Sequence, residues 1–320
     1  MKSRPEVLTA EERRACRYRL LRWFDRHRRQ LPWRADRDPY HVWLSEIMLQ
    51  QTRVAVVVER YPVFLARFPD LKRLAEAKTA EVLAAWSGLG YYRRARALHA
   101  TARQVVQQGG FPRTAEELAA LPGIGRYTAA AIASIAFEQP CAVVDGNVER
   151  MLNRLFRVRG KQVWRIAEEL LHRRRPGDFN QAMMELGATI CLPQAPRCNE
   201  CPLFAWCRTR GAGESRVASV RRKRRIAYQL AVRDHAVFLV QRHNHNSLMP
   251  GMWELPQARP GTRTPLLRLR HAITNTDYQV SVFGAKTAKG SIGRWAQLDQ
   301  VELLPLTGLT RKILVRSKLI

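Results

Sequence analysis

The sequence predicts a mainly α-helical protein that carries a smaller α+β domain at its C-terminal end. Apolar residues recur at helical spacing in short segments, and no convincing period-two alternation interrupts them over residues 10–108. Beyond residue 226 the pattern changes to short strand-like runs separated by turn residues. Four closely spaced cysteines and a basic stretch lie between the two parts. We therefore predict a helical domain over residues 1–210, a linker over 211–225 and an α+β domain over 226–320.

The composition is that of a folded chain with room for two or three domains. The chain has 320 residues, 46% of them hydrophobic, so we expect a sizeable core. No run of about 18 apolar residues occurs, and we expect no membrane span. The first residues are charged from Lys2 to Arg14 without an apolar run, so we expect no secretory signal. These features favour a bacterial, cytoplasmic protein.

The charge of the chain is its most unusual bulk property. The formal net charge is +28, and the isoelectric point is about 11.1. This exceeds what solubility requires, so it implies a polyanionic partner, either nucleic acid or an acidic membrane surface.

Cysteine spacing predicts a metal centre. Of the six cysteines, four form the cysteine loop, Cys191-x6-Cys198-x2-Cys201-x5-Cys207. In a cytosolic chain such clustering suggests metal rather than disulfides. Structural zinc sites usually pair two short Cys-x2-4-Cys knuckles, and only one is present. Ferredoxin spacing is also absent, so one loop that encloses an iron–sulfur cubane is the better interpretation.

The helical part divides into short segments. We predict a basic helix over residues 10–30 and a second helix over residues 39–51, separated by residues 31–34. Further helices are predicted over residues 54–68, 70–77 and 79–86, then a basic helix ending at 108, a short one to 120, and helices over 126–137, 148–158 and twice within 162–190.

Two glycines mark a turn between two of these helices. Thr114 and Glu117 form a capping-box pattern, and Gly123 stops the helix that follows. Gly123 and Gly125 allow a sharp turn whose N–H groups face outward at a helix N-terminus, where a phosphate can bind. An ordinary helix–turn–helix corner is the alternative.

Three further residues each allow two interpretations. Glu46 stands among apolar neighbours, where burial would suit a general acid, or it lies on a solvated helix face. Asp145 is either a helix N-cap or a carboxylate that stabilises a developing cation. Tyr91, in an aromatic pair with Tyr92 that glycine and arginine flank, either packs in a core or wedges between bases.

The C-terminal part begins after five consecutive basic residues, 221–225, which either stay solvated or follow a phosphate backbone. We predict strands over residues 228–233, 236–242, 278–283 and 292–296.

Six segments together resemble one family. They are LPWR (31–34), WLSEIMLQQT (43–52), GLGYY (88–92), LPGIGRYTA (121–129), VDGNV (144–148) and the cysteine loop. In this order, over residues 20–210, they resemble the MutY adenine DNA glycosylases of the helix-hairpin-helix glycosylase superfamily. The cysteine spacing is shared with endonuclease III, whereas residues 45–52 point to MutY.

The resemblance implies a two-lobed helix-hairpin-helix domain with named catalytic roles. Glu46 would protonate the flipped adenine and later handle water, and Asp145 would stabilise the oxocarbenium ion, directly or through a covalent sugar adduct. Tyr127 and Asn147 match groups near Asp145. This division of labour suits N-glycosidic cleavage, which needs leaving-group protonation and cation stabilisation.

The resemblance also implies the DNA and cofactor contacts. The backbone at Gly123 and Gly125 would hold a phosphate, and Gln51 and Tyr91 would enter the duplex beside the lesion. Base and DNA contacts are further assigned to Trp33, Arg34, Leu49 and Gln181. The ligands of a [4Fe-4S] cluster would be Cys191, Cys198, Cys201 and Cys207.

Three features depart from related patterns. Glycosylase/lyases of the endonuclease III type have a lysine where this chain has Tyr127, and an amine is needed for a Schiff base. We therefore expect a monofunctional enzyme.

The C-terminal domain resembles a MutT (Nudix) domain without the acidic, magnesium-binding helix. The family's Phe-Ser-His loop is replaced at 271–275, where Thr274 keeps a hydroxyl.

The main hypothesis is thus a monomeric, nucleoid-associated glycosylase that removes adenine opposite 8-oxoguanine or guanine in double-stranded DNA. An endonuclease III-like pyrimidine glycosylase/lyase is one alternative, and Tyr127 argues against it. A DNA-binding redox sensor without enzymatic activity is the other.

Overall fold

Helices form the first part of the chain. The computed structural model describes residues 8–211, 221–243, 249–259, 264–273, 275–285 and 292–320, so most of the predicted linker and Thr274 fall outside the described residues. Within 8–211 the α-helices are α1 (Ala10–His27), α2 (Pro39–Leu49), α3 (Val54–Arg67), α4 (Leu71–Glu76), α5 (Thr79–Ala85), α6 (Arg93–Gln107), α7 (Ala115–Ala119), α8 (Arg126–Ala136), α9 (Gly146–Phe156), α10 (Lys161–Leu170) and α11 (Pro176–Thr189). The helical class predicted for this part is confirmed.

Capping side chains fix where several helices begin. Thr9 and Glu12 form a reciprocal capping box at the start of α1, with bonds of 2.8 and 3.2 Å. Asp38 accepts two backbone N–H groups at the start of α2. Thr114 caps α7 as predicted, but the Glu117 carboxylate meets the Thr114 hydroxyl instead of the backbone N–H.

One core holds α1, α9, α10 and α11 together. Leu20, Phe24, Met151, Leu152 and Leu186 are among its fully buried members. Burial of a side chain of this size contributes about 1.5–3 kcal/mol each. The packing fixes α9 and α11, which carry several of the predicted site residues.

Two glycines let α11 approach its neighbours closely. A Cβ at Gly177 would lie 2.6 Å from the Ser134 carbonyl oxygen in α8, and one at Gly187 would lie 2.8 Å from the Asn147 Cβ in α9. Both distances are shorter than side chains tolerate, so glycine at these positions sets how close α11 packs.

The C-terminal part contains a sheet and a helix. Its strands are β1 (Arg222–Arg233), β2 (Ala236–Gln241), β3 (Trp253–Glu254), β4 (Gln257–Ala258), β5 (Leu267–Ile273), β6 (Thr276–Ala285) and β7 (Gly293–Gln297), followed by α12 (Gly308–Arg316). The long β1 pairs with β6 in parallel and with β2 in antiparallel fashion, and β5 pairs with β6. The predicted α+β class is confirmed.

Two local predictions in this part need correction. Residues 222–225, predicted as the end of a linker, form the first residues of β1 and pair with β6. Residues 271–273, predicted as part of a loop, lie in β5. Consecutive basic residues hide the alternation in the first segment. The second was interpreted as a loop from the family resemblance, although residues 267–270 directly before it alternate apolar and polar.

The chain forms two compact units. The first comprises residues 1–62, 70–72 and 100–216, and the second comprises residues 63–69, 73–99 and 217–320. The second unit thus includes α4 from Arg73 onward, α5 and the start of α6 together with the sheet. None of the described helices combines the length and apolar character that crossing a membrane requires.

Candidate active site

Glu46 is buried in the apolar helix α2. Eight of the eleven α2 residues are buried, and Glu46 itself is only 6% exposed. The solvated-face alternative for this residue is therefore wrong. The neighbours Trp43 and Leu44 are almost completely buried, and they leave the carboxyl group in an environment that disfavours its charge.

The Glu46 carboxyl group is hydrogen-bonded to Tyr127, which donates its hydroxyl to Oε2 and lies 3.4 Å from the Met184 sulfur. Burial raises the pKa of Glu46 to about 7; the Tyr127 hydrogen bond opposes this rise, and the charge of Asp145 adds to it. Burial also raises the pKa of Tyr127 well above its ordinary value, so the phenol remains a neutral donor.

Asp145 lies in the opposite kind of environment. It caps α9, with Oδ1 accepting the Val148 backbone N–H at 2.7 Å. Its Oδ2 accepts the Asn147 side-chain amide at 2.8 Å. Asp145 is thus an N-cap and also lines the cavity that contains Glu46. Two N–H donors hold it as an oriented carboxylate.

Arg150 fixes the amide that holds Asp145. It donates to the Asn147 side-chain oxygen at 3.0 Å and to the Gly187 carbonyl at 2.7 Å. It also donates to the backbone carbonyl of Cys191 at 3.0 Å. Sequence reasoning missed Arg150, because one arginine on an amphipathic helix gives no local signal.

A cavity of about 590 Å³ brings many of the predicted residues together. This volume suits a small organic group. Its lining includes Trp33, Arg34, Glu46, Leu49, Gln51, Tyr127, Asp145, Asn147 and Gln181. Tyr91, Gly123 and Gly125 do not line it.

Glu185 is a second buried carboxylate of the cavity, which sequence reasoning also missed. Arg29 binds both of its oxygens at 2.6 and 2.9 Å, and Arg34 binds one at 2.9 Å. Burial alone would raise the pKa of Glu185, but the two arginines outweigh burial and lower it. Glu185 is therefore an anion, and it holds the predicted contact residue Arg34 in place.

The glycine turn lies at the start of α8. Gly123 has a φ of 74°, and a Cβ at Gly125 would meet nothing within 4 Å. No side chain caps α8 among the described residues. Its first N–H groups are therefore available to an anion, as the predicted phosphate site requires.

Backbone strain marks the two predicted wedge residues. Gln51 has a φ of 55° and Tyr91 a φ of 47°. Non-glycine residues adopt such values at a cost, and they often do so at functional sites. Tyr91 is 44% exposed, so the core alternative for this residue is wrong.

The four loop cysteines line one small cavity. Arg154 lies beside them and points a guanidinium N–H toward the Cys191 sulfur at 3.5 Å. Among the described residues, no three ligating side chains are close enough to hold a single metal ion. Four thiols around one space, next to the Arg154 cation, have the chemistry that an anionic iron–sulfur cluster requires.

Comparison with known proteins places the chain in a family. Residues 44–176 match the family model of the HhH-GPD superfamily base excision DNA repair proteins. A thermostable thymine-DNA glycosylase matches at TM-score 0.58 and 30% identity, over 62% of this chain and 96% of that chain. An endonuclease III–DNA complex matches at TM-score 0.55 and 25% identity, over 63% and 97%. The chain belongs to the HhH-GPD superfamily.

The sequence relatives are adenine DNA glycosylases. That of Rattus norvegicus is 48% identical over 64% of this chain and 44% of the relative. That of Homo sapiens is 50% identical over 61% and 39%, and that of Buchnera aphidicola subsp. Baizongia pistaciae is 40% identical over 59% and 57%. The resemblance to the MutY family is thus confirmed. The chain spans less than half the length of the two mammalian relatives.

Proposed function

We propose that this protein is a monofunctional DNA glycosylase that excises adenine paired with 8-oxoguanine or guanine, leaving an abasic site. One observation carries the proposal: a buried Glu46 with a pKa of about 7 shares a cavity with a hydrogen-bonded Asp145. The curated relatives, named adenine DNA glycosylases, support the choice of base. Base excision repair is the process to which this reaction belongs.

Glu46 supplies the proton. Burial raises its pKa to about 7, so the protonated form is available at neutral pH. The carboxyl proton passes to a ring nitrogen of the flipped adenine. The C1′–N9 bond then breaks, and its electron pair leaves with the base. Removal of the base from the stack is required for the cavity to reach this bond.

Asp145 stabilises the sugar cation that remains. Its two N–H donors, from Val148 and Asn147, fix the carboxylate before the reaction begins. A water molecule then adds to C1′ and gives a proton to the Glu46 carboxylate, which restores the acid. The product is an abasic site, and no strand is cut.

Tyr127 favours this outcome over a lyase reaction. Its hydroxyl is bonded to Glu46, and a buried phenol cannot form a Schiff base with the sugar. Endonuclease III is nevertheless a structural relative, so the alternative is tested by product analysis. Strand breaks made by the purified protein without alkali would favour the lyase.

DNA is the proposed partner. The uncapped first turn of α8 offers N–H groups to a phosphate, and a net charge of +28 attracts the backbone. Recognition of 8-oxoguanine is assigned to the C-terminal domain on its resemblance to MutT domains.

A [4Fe-4S] cluster is the proposed cofactor. Cys191, Cys198, Cys201 and Cys207 would hold it, and when bound it cross-links the loop beside the Arg154 side chain. Iron and sulfide analysis of the purified protein tests this. Cys198→Ala should lose iron, whereas Cys141→Ala, which changes a cysteine outside the loop, should keep it. An iron-free, folded wild-type protein would refute the assignment.

The function is tested by single-turnover excision on duplexes with adenine opposite 8-oxoguanine, guanine or thymine. We expect release of adenine opposite the two purines and little opposite thymine. Negligible release from all three duplexes would refute the proposal.

A further inference from the structure

The turn that precedes α6 contains a strained residue. Gly88 and Gly90 have φ values of 92° and 68°, and Tyr91 has a φ of 47°. Glycine adopts these values freely, but the Cβ of tyrosine makes them unfavourable. Tyr91 is 44% exposed, so burial of its own ring does not hold the backbone. Other groups must stabilise this turn.

Arg94 provides the first of these groups. It lies one helical turn after Tyr91, and its Nη2 donates to the Leu89 carbonyl at 2.9 Å and to the Gly90 carbonyl at 3.2 Å. The indole N–H of Trp86 also donates to the Gly90 carbonyl, at 3.1 Å. Two side chains therefore hold the carbonyls of the strained turn.

Arg94 also contacts two aromatic rings. The centre of its guanidinium lies 5.4 Å from the Trp86 ring centroid and 5.6 Å from that of Tyr91. Trp86 is completely buried, so it anchors the cation within the core. The cation in turn contacts the exposed ring of Tyr91, and such contacts are attractive.

Burial of Arg94 has a cost that these contacts offset. Desolvation lowers the pKa of Arg94 to about 10, and Tyr91 raises it slightly. The group therefore keeps its charge at neutral pH. A lysine could not replace Arg94. The planar guanidinium lies against the two aromatic rings and donates to the backbone carbonyls at the same time, and an ammonium group has no such planar set of donors.

We propose that Arg94 is a positioning residue for Tyr91: it holds the strained turn so that the exposed ring projects in one orientation and can wedge between stacked bases of duplex DNA. A ring that is already fixed loses little conformational entropy on insertion. This inference rests on the proposed function, because the wedge assists extrusion of the adenine.

The first test uses Arg94→Lys in the full-length protein. The substrate is a duplex with adenine opposite 8-oxoguanine and the fluorescent base 2-aminopurine next to the lesion. We expect the fluorescence change on binding and the single-turnover excision rate each to fall roughly 10- to 100-fold. The matched control is Arg93→Lys, an exposed neighbour with no hydrogen bond or ion pair to any described residue. It should behave as wild type.

A double-mutant cycle separates positioning from a general structural role. In the Tyr91→Ala background, Arg94→Lys should have no further effect on excision, because the ring that it positions is absent. Equal losses in both backgrounds would overturn the inference.

Trp86→Phe, which removes the indole N–H and keeps a ring, should cause a smaller loss of the same kind. If wild type releases no adenine, the proposed function fails; if wild type is active and Arg94→Lys matches it, only this inference fails.

Discussion

At the residue scale, the site depends on two carboxylates in opposite environments. Glu46 is buried among apolar groups and near another negative charge, which favours its acid form. Asp145 receives two N–H donors, which fix the orientation of its carboxyl group. A proton donor and an oriented carboxyl group in one cavity are what cleavage of an N-glycosidic bond requires.

Glu46→Gln tests the acid. Glutamine cannot deliver a proton, so excision should fall by about 10²- to 10⁴-fold while DNA binding is retained. The wild-type single-turnover rate should fall as pH rises through about 7, because the acid form is lost. A rate that stays level across this range would exclude Glu46 as the acid.

The raised pKa of Glu46 also predicts how the free energy of unfolding depends on pH. A carboxyl group whose pKa is raised on folding stabilises the fold while it is protonated, and this contribution is lost as pH rises through about 7. Glu46→Gln should therefore be more stable than wild type at pH 8, and the difference should shrink at pH 5.

Asp145→Asn separates capping from catalysis. The amide oxygen can still accept from Val148, but the new NH2 group faces the NH2 of Asn147, so one hydrogen bond is lost. We expect a loss of about 1 kcal/mol in the free energy of unfolding and a fall in excision of at least about 100-fold. Denaturant titration and single-turnover kinetics measure the two effects, and near-normal excision would argue against Asp145.

At the residue scale, sequence motifs carried the predictions of the catalytic residues. Residues 43–52 and 144–148 pointed to Glu46 and Asp145. Composition could not reveal that Glu46 is buried, since most glutamates are solvated. Glu185 and Arg150 were missed because their partners lie far away in sequence, so only the folded chain brings them together.

At the element scale, the approach of α11 to α9 positions Asn147. Gly187→Ala would place a Cβ 2.8 Å from the Asn147 Cβ. We expect a loss of about 1–3 kcal/mol in the free energy of unfolding, together with slower excision. Gly308→Ala is the control, because its Cβ would meet nothing within 4 Å. Equal stability of both variants would contradict the packing argument.

Element prediction was good for helices and poorer for strands. Helical spacing and caps identified α2, α8 and α9 within a few residues. The strand β5 was missed although residues 267–270 alternate apolar and polar, because residues 271–275 were interpreted as a loop from the family resemblance. The first residues of β1 were missed because consecutive basic residues hide their alternation, and pairing with β6 stabilises them. Strand formation depends on such partners more than helix formation does.

At the scale of the whole molecule, charge is the dominant property. A net charge of +28 should make affinity for undamaged duplex depend steeply on salt. With 6–10 phosphate contacts, affinity should fall about 10³- to 10⁵-fold between 50 and 200 mM salt. Fluorescence anisotropy over this range measures the slope, and a shallow slope would mean that few phosphates are bound.

The division into units was the hardest feature to predict. A change of periodicity located the α+β part near residue 226. The grouping of residues 73–99, which hold most of α4, all of α5 and the start of α6, with that part is not visible in the sequence. It arises from contacts between segments far apart in the chain.

The most direct test follows one duplex, with adenine opposite 8-oxoguanine, and measures free adenine and strand breaks in the same single-turnover reaction. We predict stoichiometric adenine release from an unbroken strand, with breaks only after alkali. Breaks that appear with adenine release before alkali, or no release at all, would contradict it.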